Sequence, residues 1–176
     1  QGTLDKKYET IFAVGGDGTV NEVAKAVVHS NQVMGILPCG SGNGLARHLG
    51  IPMKIKDALP MIGSASVIAM DSMLVNEQLS INISGIGFDG HIAGMFGKDG
   101  KRGLISYCKL VLREFLRYKE FEVNFQIDDS SFHQKAFVIA FANSSQFGNN
   151  AHIAPRASVC DGLLDISVIR KIPLHQ

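Results

Sequence analysis

Two stretches of the sequence repeat one pattern, in which a short apolar run ends in glycines and a helical pattern follows. The first run, Thr10–Val14, leads into Gly15–Gly18, and the second run, Val33–Leu37, leads into Pro38 and another glycine-rich turn. Parallel strands need a crossover between them, and that crossover is usually a helix. The repeated order of strand, glycine turn and helix therefore predicts a parallel α/β layer.

Capping signals predict where the two helices begin. Thr19 is followed three residues later by Glu22, which predicts a capping box and a helix that runs to about residue 29. In the second turn, Ser41 or Asn43 is expected to cap a short helix that ends near His48.

From about residue 66 the pattern changes to short β-rich runs. We expect strands at Ser66–Met70, Leu79–Ser84, Phe121–Ile127, Lys135–Asn143 and Leu163–Ile169. Asp128–Ser130 predicts a hairpin turn, and Leu104–Tyr118 is the one clearly helical segment of this half. We therefore expect an α/β domain over residues 1–65 and a β-rich domain over residues 66–176.

Composition and charge exclude several classes of protein. Hydrophobic residues make up 45% of the chain and charged residues 19%, a balance that disordered chains do not have. A net charge of +1 gives no bulk attraction to nucleic acid, so we expect no nucleic-acid partner. No apolar run is long enough to span a bilayer, and three widely spaced cysteines suit a reducing compartment. We expect a cytoplasmic protein.

The first glycine turn has the features of a phosphate site. Glycines let the backbone approach a bulky anion, and the N-terminus of the following helix attracts negative charge. Asp17 stands in the middle of this turn, and a carboxylate beside a phosphate needs a bridging cation. Asp17 therefore indicates Mg²⁺ carried with a nucleotide. The alternative is an ordinary turn in which Asp17 caps the helix.

The second turn, Gly40–Gly44, repeats this logic after the next strand. We expect the two turns to lie side by side at the C-terminal edge of the sheet, where open α/β sheets bind ligands. Neither turn is a Walker A loop, because no Gly-Lys-Ser/Thr follows, and neither satisfies the G-x-G-x-x-G dinucleotide pattern.

These motifs together resemble the diacylglycerol kinase catalytic family. That family includes bacterial lipid kinases and eukaryotic sphingosine and ceramide kinases, and it is distantly related to NAD kinases. The similarity lies in Gly15–Val23 and Leu37–Pro52, and it continues in the same order through Ile86–Asp89, Ala142–Asn143, Ile153–Ala157 and Asp161–Asp165.

The resemblance implies a two-domain enzyme that uses ATP and Mg²⁺, with an α/β nucleotide domain beside a β-sandwich domain and the active site between them. The residues that it implies for nucleotide binding lie in the two glycine turns. They are Gly15, Gly16, Asp17, Gly18, Thr19, Val20, Asn21, Glu22, Gly40, Ser41 and Asn43.

The resemblance also implies two places for Mg²⁺. Asp17, the candidate catalytic residue, and Asp71 would belong to a network of Mg²⁺ and water around the phosphates. Asp161 and backbone carbonyls near Ser158 and Leu163 resemble a separate structural Mg²⁺ site of the family.

Several positions depart from the family pattern. Gly44 replaces an aspartate of many bacterial lipid kinases, and Asn149-Asn150 replaces a commoner Gly-Gly pair. The sequence lacks the Asp-Gly-Glu motif, which carries the family's catalytic acidic residue. It also lacks the first strand of the family's α/β domain. We therefore expect this chain to be part of a longer one and the general base to lie outside it. Asp89 is expected either to contact the acceptor hydroxyl or to brace a turn.

The resulting hypothesis is an ATP-dependent lipid kinase that phosphorylates the hydroxyl of a diacylglycerol-like or long-chain-base lipid. Peripheral membrane contact is expected, with Lys98, Lys101 and Arg102 either meeting anionic headgroups or forming a solvated loop. The oligomeric state stays open, and a homodimer is compatible with the sequence.

Two alternatives stay open. An NAD kinase-like enzyme would share the Gly-Gly-Asp-Gly turn, although the block Gly40–Pro52 favours the lipid branch. A catalytically inactive module that binds nucleotide or lipid would explain Gly44 and the missing acidic motif.

Overall fold

The computed structural model of the chain describes residues 8–95 and 104–172, and for residues 104–108 it describes the backbone alone. Contacts divide the chain into two compact units. The first unit contains Gln1–Ser84 and Ala142–Asp165, and the second contains Gly85–Phe141 and Ile166–Gln176. This division falls elsewhere than residue 65, and the domain boundary expected there stays a prediction.

The first unit is built on two parallel strands joined by a helix. Its first elements are β1 (Thr10–Gly15), α1 (Asp17–Val27) and β2 (Val33–Pro38). The two strands pair in parallel along their whole length, which confirms the predicted α/β layer. Val20 and Ala24 of α1 are buried with Ala13 and Ile36 of the strands, so the apolar face of the helix covers the sheet.

The first helix begins earlier than the capping signal predicted. Gly16 is the residue that precedes α1, and no side chain caps the helix. Thr19 lies inside the first turn, with its side chain over Gly15, and Glu22 forms an ion pair with Lys25 at 2.7 Å. The capping box is therefore wrong, because both of its side chains are used elsewhere.

Short helices follow the second strand. They are α2 (Gly44–His48), α3 (Ile55–Ala58) and a 3₁₀ helix (Leu59–Ser64). Asn43 precedes α2, as expected, although it adopts the left-handed conformation with φ 53° and its side chain does not cap the helix. Neither α3 nor the 3₁₀ helix was predicted.

Two of the strand predictions in this unit are wrong. Residues 66–70 form no strand, because none of the described strands pairs with them, and Val67 and Ile68 are 71% and 48% exposed. Leu79–Ser84 is divided between two strands rather than forming one. The observed elements are an antiparallel hairpin of β3 (Met73–Val75) and β4 (Gln78–Ser80), and then β5 (Ile83–Gly87).

The second unit is β-rich and contains two helices. After β5 come α4 (Phe88–Met95), α5 (Leu104–Arg117), β6 (Phe121–Ile127), β7 (Ser130–Ala136), β8 (Val138–Ala142) and β9 (Asp165–Ile169). The strands form a three-stranded sheet in the order β5-β8-β9 and an antiparallel hairpin of β6 and β7. This β-rich half confirms the predicted fold class.

Local predictions in the second unit have mixed outcomes. The hairpin turn is confirmed, with Asp128 in the left-handed conformation at φ 50°. The run Lys135–Asn143 contains two strands that divide at Phe137, and α4 was not predicted as a helix.

Helix α5 lies within one residue of its prediction and packs on the core of the second unit. Val111 and Phe115 of α5 lie against the buried residues Phe88 and Phe137. The helical period predicts one apolar face of Leu104, Cys108, Val111, Leu112 and Phe115, and Leu112 is wrong because it is 58% exposed. The side chains of Leu104 and Cys108 lie outside the described residues. Within the described part of the chain, no helix is both long and apolar enough to cross a bilayer.

Candidate functional site

The two glycine turns are in direct contact. A Cβ atom at Gly40 would overlap the Cα atom of Gly16, and a Cβ atom at Gly16 would lie 3.1 Å from Gly40 Cα. The backbone N–H of Cys39 also donates a hydrogen bond to the carbonyl oxygen of Gly15 at 2.9 Å. The turns therefore lie side by side at the end of β1 and β2, as predicted, and glycine is required where their backbones meet.

The N-terminus of α1 presents backbone donors at this place. The N–H groups of Asp17, Gly18 and Thr19 precede the first helical hydrogen bond, which Val20 donates to the Gly16 carbonyl at 3.0 Å. Gly18 and Thr19 are exposed. This end of the helix can therefore bind an anion such as a phosphate group.

The carboxylate of Asp17 lies between the first and second turns. Its Oδ1 atom accepts hydrogen bonds from the Leu45 N–H at 3.3 Å and from Asn82 Nδ2 at 3.4 Å. Its Oδ2 atom accepts no hydrogen bond from the described residues, and it lies 3.2 Å from the position that a Cβ atom would take at Gly42. One carboxylate oxygen thus stays available, and an oxygen ligand of this kind suits Mg²⁺.

Asn43 and Ser41 differ in their availability. Asn43 is buried, and it closes the second turn by accepting the Gly40 N–H at 2.9 Å and donating to the Gly40 carbonyl at 2.7 Å. Its amide therefore shapes the turn. Ser41 is exposed within the turn.

Three other predicted nucleotide residues have side chains that face elsewhere. Val20 is buried in the core. Asn21 donates to the Leu79 carbonyl at 3.1 Å and accepts from the Ile81 N–H at 3.2 Å, so its amide holds the segment after β4. Glu22 is exposed and pairs with lysine. We find no free polar side-chain atom for a nucleotide at Val20 or Asn21, and a nucleotide role for any of the three stays a prediction.

A third loop, which includes residues 146–149, packs on the second glycine turn. A Cβ atom at Gly44 would lie 2.5 Å from the Gln146 carbonyl oxygen, so the loop occupies the space that a side chain would need. Arg47 joins the two by donating to the Gly42 carbonyl at 3.0 Å and to Asn149 Oδ1 at 3.3 Å. The departure from the family pattern at Gly44 is therefore matched by a close approach of this loop.

Asp71 lies against the Ser158–Leu163 segment. Its Oδ2 atom accepts the Gly162 N–H at 2.7 Å, and its backbone N–H donates to the Val159 carbonyl at 2.7 Å. Within the segment, Asp161 Oδ1 accepts the Leu163 N–H at 3.0 Å. Asp71, which was expected beside Asp17, thus contacts the segment predicted to form the separate structural Mg²⁺ site.

The side-chain oxygen ligands in this region are too few to complete the coordination of a Mg²⁺ ion by themselves. Among the described residues, no group of three or more His, Cys, Asp and Glu side chains is placed to hold a metal ion. A cation bound at Asp17 or at Asp161 would take its remaining ligands from backbone carbonyls, phosphate or water, as Mg²⁺ commonly does. The metal roles stay predictions.

Asp89 belongs to the second unit, in the first turn of α4. Its Oδ1 atom is buried without a hydrogen-bond partner among the described residues, and a Cβ atom at Gly85 would overlap its carboxylate. Burial raises the pKa of Asp89, and the N–H groups of Gly90 and of Asp89 itself partly offset this effect. A contact with the acceptor hydroxyl stays a prediction.

A polar network connects Asp17 to segments that are distant in sequence. Asn82 donates to Asp17 and accepts a hydrogen bond from the Ser144 hydroxyl. Asn143 donates its backbone N–H to the Asn82 carbonyl at 2.9 Å and its side-chain amide to the Asp71 carbonyl at 2.9 Å. The Ala142–Asn143 pair belongs to the resemblance without an implied role, and no sequence signal marks Asn82 or Ser144 as site residues.

Models of two protein families match the chain. The diacylglycerol kinase catalytic domain matches residues 1–75. The YegS C-terminal NAD kinase beta sandwich-like domain matches residues 84–176.

Relatives with known names are similar along most of the chain. A protein of Pseudomonas aeruginosa named "Probable lipid kinase YegS-like" is 31% identical over 166 residues, which are 92% of this chain and 55% of that protein. The Escherichia coli protein named "Probable lipid kinase YegS" is 32% identical over 169 residues, 90% of this chain and 56% of that protein. This chain thus spans just over half the length of these two relatives.

Solved structures show the same fold. The crystal structure of a diacylglycerol kinase from Bacillus anthracis str. Sterne superposes with a TM-score of 0.72 at 27% identity, covering 94% of this chain and 55% of that one.

Proposed function

The chain belongs to the diacylglycerol kinase catalytic family, and from that premise we propose that it carries the nucleotide site of an ATP-dependent lipid kinase. The reaction transfers the γ-phosphate of ATP to the hydroxyl of a diacylglycerol-like or long-chain-base lipid. Relatives named as lipid kinases support this class of substrate.

The observation that carries the proposal is the contact between the two glycine turns around Asp17. The two turns meet at Gly16 and Gly40 beside the positive end of α1, and no described residue donates a hydrogen bond to Oδ2 of Asp17. An ordinary structural turn has no need of this arrangement, whereas a nucleotide with a bound cation fits its charge and its space.

The residues of this chain act by positioning and electrostatics, as phosphoryl transfer requires. The N–H groups at the start of α1 bind phosphate oxygens, and the glycine turns let the backbone approach them. Asp17 would contact the cation bound to the nucleotide phosphates through Oδ2. Mg²⁺ carried with the nucleotide supplies the positive charge that offsets charge on the transferred group. No residue of this chain is assigned as the general base.

Contact with a membrane surface belongs to the same proposal, because the acceptor is a lipid. The outer face of α5 consists of exposed residues spaced three or four apart, and the opposite face packs on the core. This outer face contains Lys109, Leu112, Arg113, Leu116 and Arg117.

The composition of that outer face suits an anionic bilayer. Leu112 and Leu116 are 58% and 62% exposed, and they lie among Lys109, Arg117 and Arg113, whose guanidinium is paired with Glu114 at 2.8 Å. Basic side chains attract anionic headgroups while leucines enter the interface, so charge and hydrophobicity favour the same partner. The basic residues Lys98, Lys101 and Arg102 lie outside the described residues.

The test is transfer of labelled γ-phosphate from Mg-ATP by the intact protein to diacylglycerol, to a long-chain base and to NAD. We expect label in one of the two lipids. Asp17→Asn should lower transfer by at least about 10-fold, because it removes the charge that faces the nucleotide cation. Asp129→Asn, in the β6–β7 turn of the second unit, makes the same chemical change outside the glycine turns and serves as the matched control.

Each alternative gives a different result. Label in NAD alone would favour an NAD kinase-like enzyme, and bound ATP without any transfer would favour a catalytically inactive binding module. Full lipid phosphorylation by Asp17→Asn would refute the role of Asp17.

A further inference from the structure

The carboxylate of Asp17 is held by two donors on one oxygen only. The Leu45 N–H and Asn82 Nδ2 both reach Oδ1, at 3.3 and 3.4 Å, while Oδ2 faces Gly42. Leu45 N–H is a backbone group of α2. Asn82 is therefore the one side chain among the described residues that donates a hydrogen bond to Asp17.

The orientation of the Asn82 amide is determined by its two partners. A carboxylate accepts hydrogen bonds and cannot donate one when ionised, so the NH₂ group of Asn82 must face Asp17. The amide oxygen then faces the Ser144 hydroxyl, which donates to it. Ser144 is fully buried, so water does not compete for this contact.

The backbone that bears Asn82 is fixed from two sides. Asn21 of α1 bonds to the backbone of Leu79 and Ile81. Asn143 donates its side-chain amide to the Ile81 carbonyl at 3.0 Å and its backbone N–H to the Asn82 carbonyl at 2.9 Å. This segment is thus tied both to the helix that begins at Asp17 and to the segment that contains Ser144.

From this geometry we propose that Asn82, oriented by Ser144, is a positioning residue that directs Oδ2 of Asp17 toward the nucleotide-bound cation. This inference rests on the proposed function and deepens it. Outer-sphere partners of a ligating carboxylate commonly change metal affinity by about 10–100-fold when they are removed. Asn82 should therefore influence the metal dependence of nucleotide binding rather than nucleotide binding in general.

The experiment measures dissociation constants of ATP with Mg²⁺ and with a chelator for the intact protein, using isothermal titration calorimetry. In the parent protein, Mg²⁺ should strengthen binding. The ratio of interest is the dissociation constant with chelator divided by that with Mg²⁺. In Asn82→Ala this ratio should fall by about 10-fold or more. Ser144→Ala should lower the ratio in the same direction and by less, because it loosens the amide without removing it. Asn31→Ala, at an exposed asparagine before β2, should leave the ratio unchanged.

A double-mutant cycle separates this role from a general structural one. Adding Asn82→Ala to Asp17→Asn should cause no further loss of the ratio, since both changes act through the same carboxylate. Thermal melts of each variant identify loss of folding, and Ser144→Ala provides the answer where Asn82→Ala does not fold.

The contrary outcomes are distinct. An unchanged ratio in Asn82→Ala, even with weaker binding under both conditions, would overturn the role of Asn82. Additive losses in the double variant would do the same. Both results would leave the kinase proposal intact. Absence of any effect of Mg²⁺ on binding to the parent protein would overturn the proposed function and this inference with it.

Discussion

At the scale of single residues, missing Cβ atoms decide how closely loops can meet around Asp17. Gly40 leaves no room for a Cβ atom beside Gly16 Cα, and Gly44 leaves none beside the Gln146 carbonyl. At Gly40 and Gly44 an added methyl group would overlap backbone, which cannot rotate away as a side chain can, whereas at Gly16 it would lie 3.1 Å from Gly40 Cα. Close packing of this kind makes the loops interdependent, so a change in one turn reaches the others.

His48 shows how one side chain makes stability depend on pH. Its Nδ1 atom accepts the Ser145 N–H at 3.2 Å and lies 2.9 Å from the Ser145 hydroxyl. Burial lowers the pKa of His48, and the charge of His152 lowers it further. The folded protein therefore holds His48 neutral at pH values where the unfolded chain binds a proton.

This imbalance gives a prediction with a definite sign. The unfolded chain binds more protons below the ordinary histidine value of 6.5, so stability should fall as pH decreases from there toward the lowered pKa. His48→Asn keeps an acceptor near the Nδ1 position without titrating, so its melting temperature should fall less between about pH 7.5 and about pH 5.5. Thermal melts at both pH values test this.

The control is His133→Asn, which removes an exposed histidine from β7. A decrease in melting temperature that is equally steep in the parent protein and in His48→Asn would show that His48 is not the group responsible.

At the scale of elements, the two faces of α5 have different roles. One face supplies Val111 and Phe115 to the core of the second unit. The other face exposes Leu112 and Leu116 among basic residues. Amphipathic patterning explains the buried face, whereas exposed leucines beside cations are what an interfacial helix presents to lipid.

Replacing both exposed leucines should weaken membrane binding without unfolding the protein. We expect Leu112→Ser combined with Leu116→Ser to lower binding to vesicles that contain an anionic phospholipid by about 10-fold, because less apolar area enters the interface. Co-sedimentation measures this, and vesicles of phosphatidylcholine alone should bind all variants weakly.

Leu74→Ser is the matched control, since Leu74 is 71% exposed on β3 in the other unit. If the double variant of α5 binds anionic vesicles as tightly as the Leu74→Ser control, this face is not the membrane surface.

At the scale of the whole molecule, the first unit is assembled from two separate parts of the chain. Ala142–Asp165 returns to complete the unit begun by Gln1–Ser84. Asn143 is the central link, because its side-chain amide donates to the carbonyls of Asp71 and Ile81. It is 3% exposed, so water cannot replace these bonds.

Loss of that link should destabilise the unit. We expect Asn143→Ala to lower the free energy of unfolding by about 1–3 kcal/mol, because buried carbonyl groups lose their donor. Denaturant titration measures the change, and Asn31→Ala at an exposed position should alter stability by no more than about 0.5 kcal/mol. A loss in Asn143→Ala no larger than that of the control would contradict the bridging role.

Local sequence patterns were enough to predict the parallel layer, the two glycine turns, α5 and the β6–β7 hairpin. Each of these depends on local chemistry, namely an apolar run, a turn that glycine or aspartate can adopt, or a helical period. The same local signals mispredicted the capping box and the strand at residues 66–70, where tertiary partners were absent or used the side chains differently. No local sequence signal distinguishes an asparagine with a structural role from one that contacts a ligand. This applies to Asn21, Asn43 and Asn82.

The contacts between polar groups that are distant in sequence become visible in the folded chain alone. The fold places Asp71 on the Ser158–Leu163 segment and Asn82 on Asp17, across separations of 91 residues to Gly162 and 65 residues, respectively. Hydrogen bonds of this kind depend on distances of a few tenths of an ångström and on the direction of each donor. Neither quantity is expressed in the order of residues until the chain has folded.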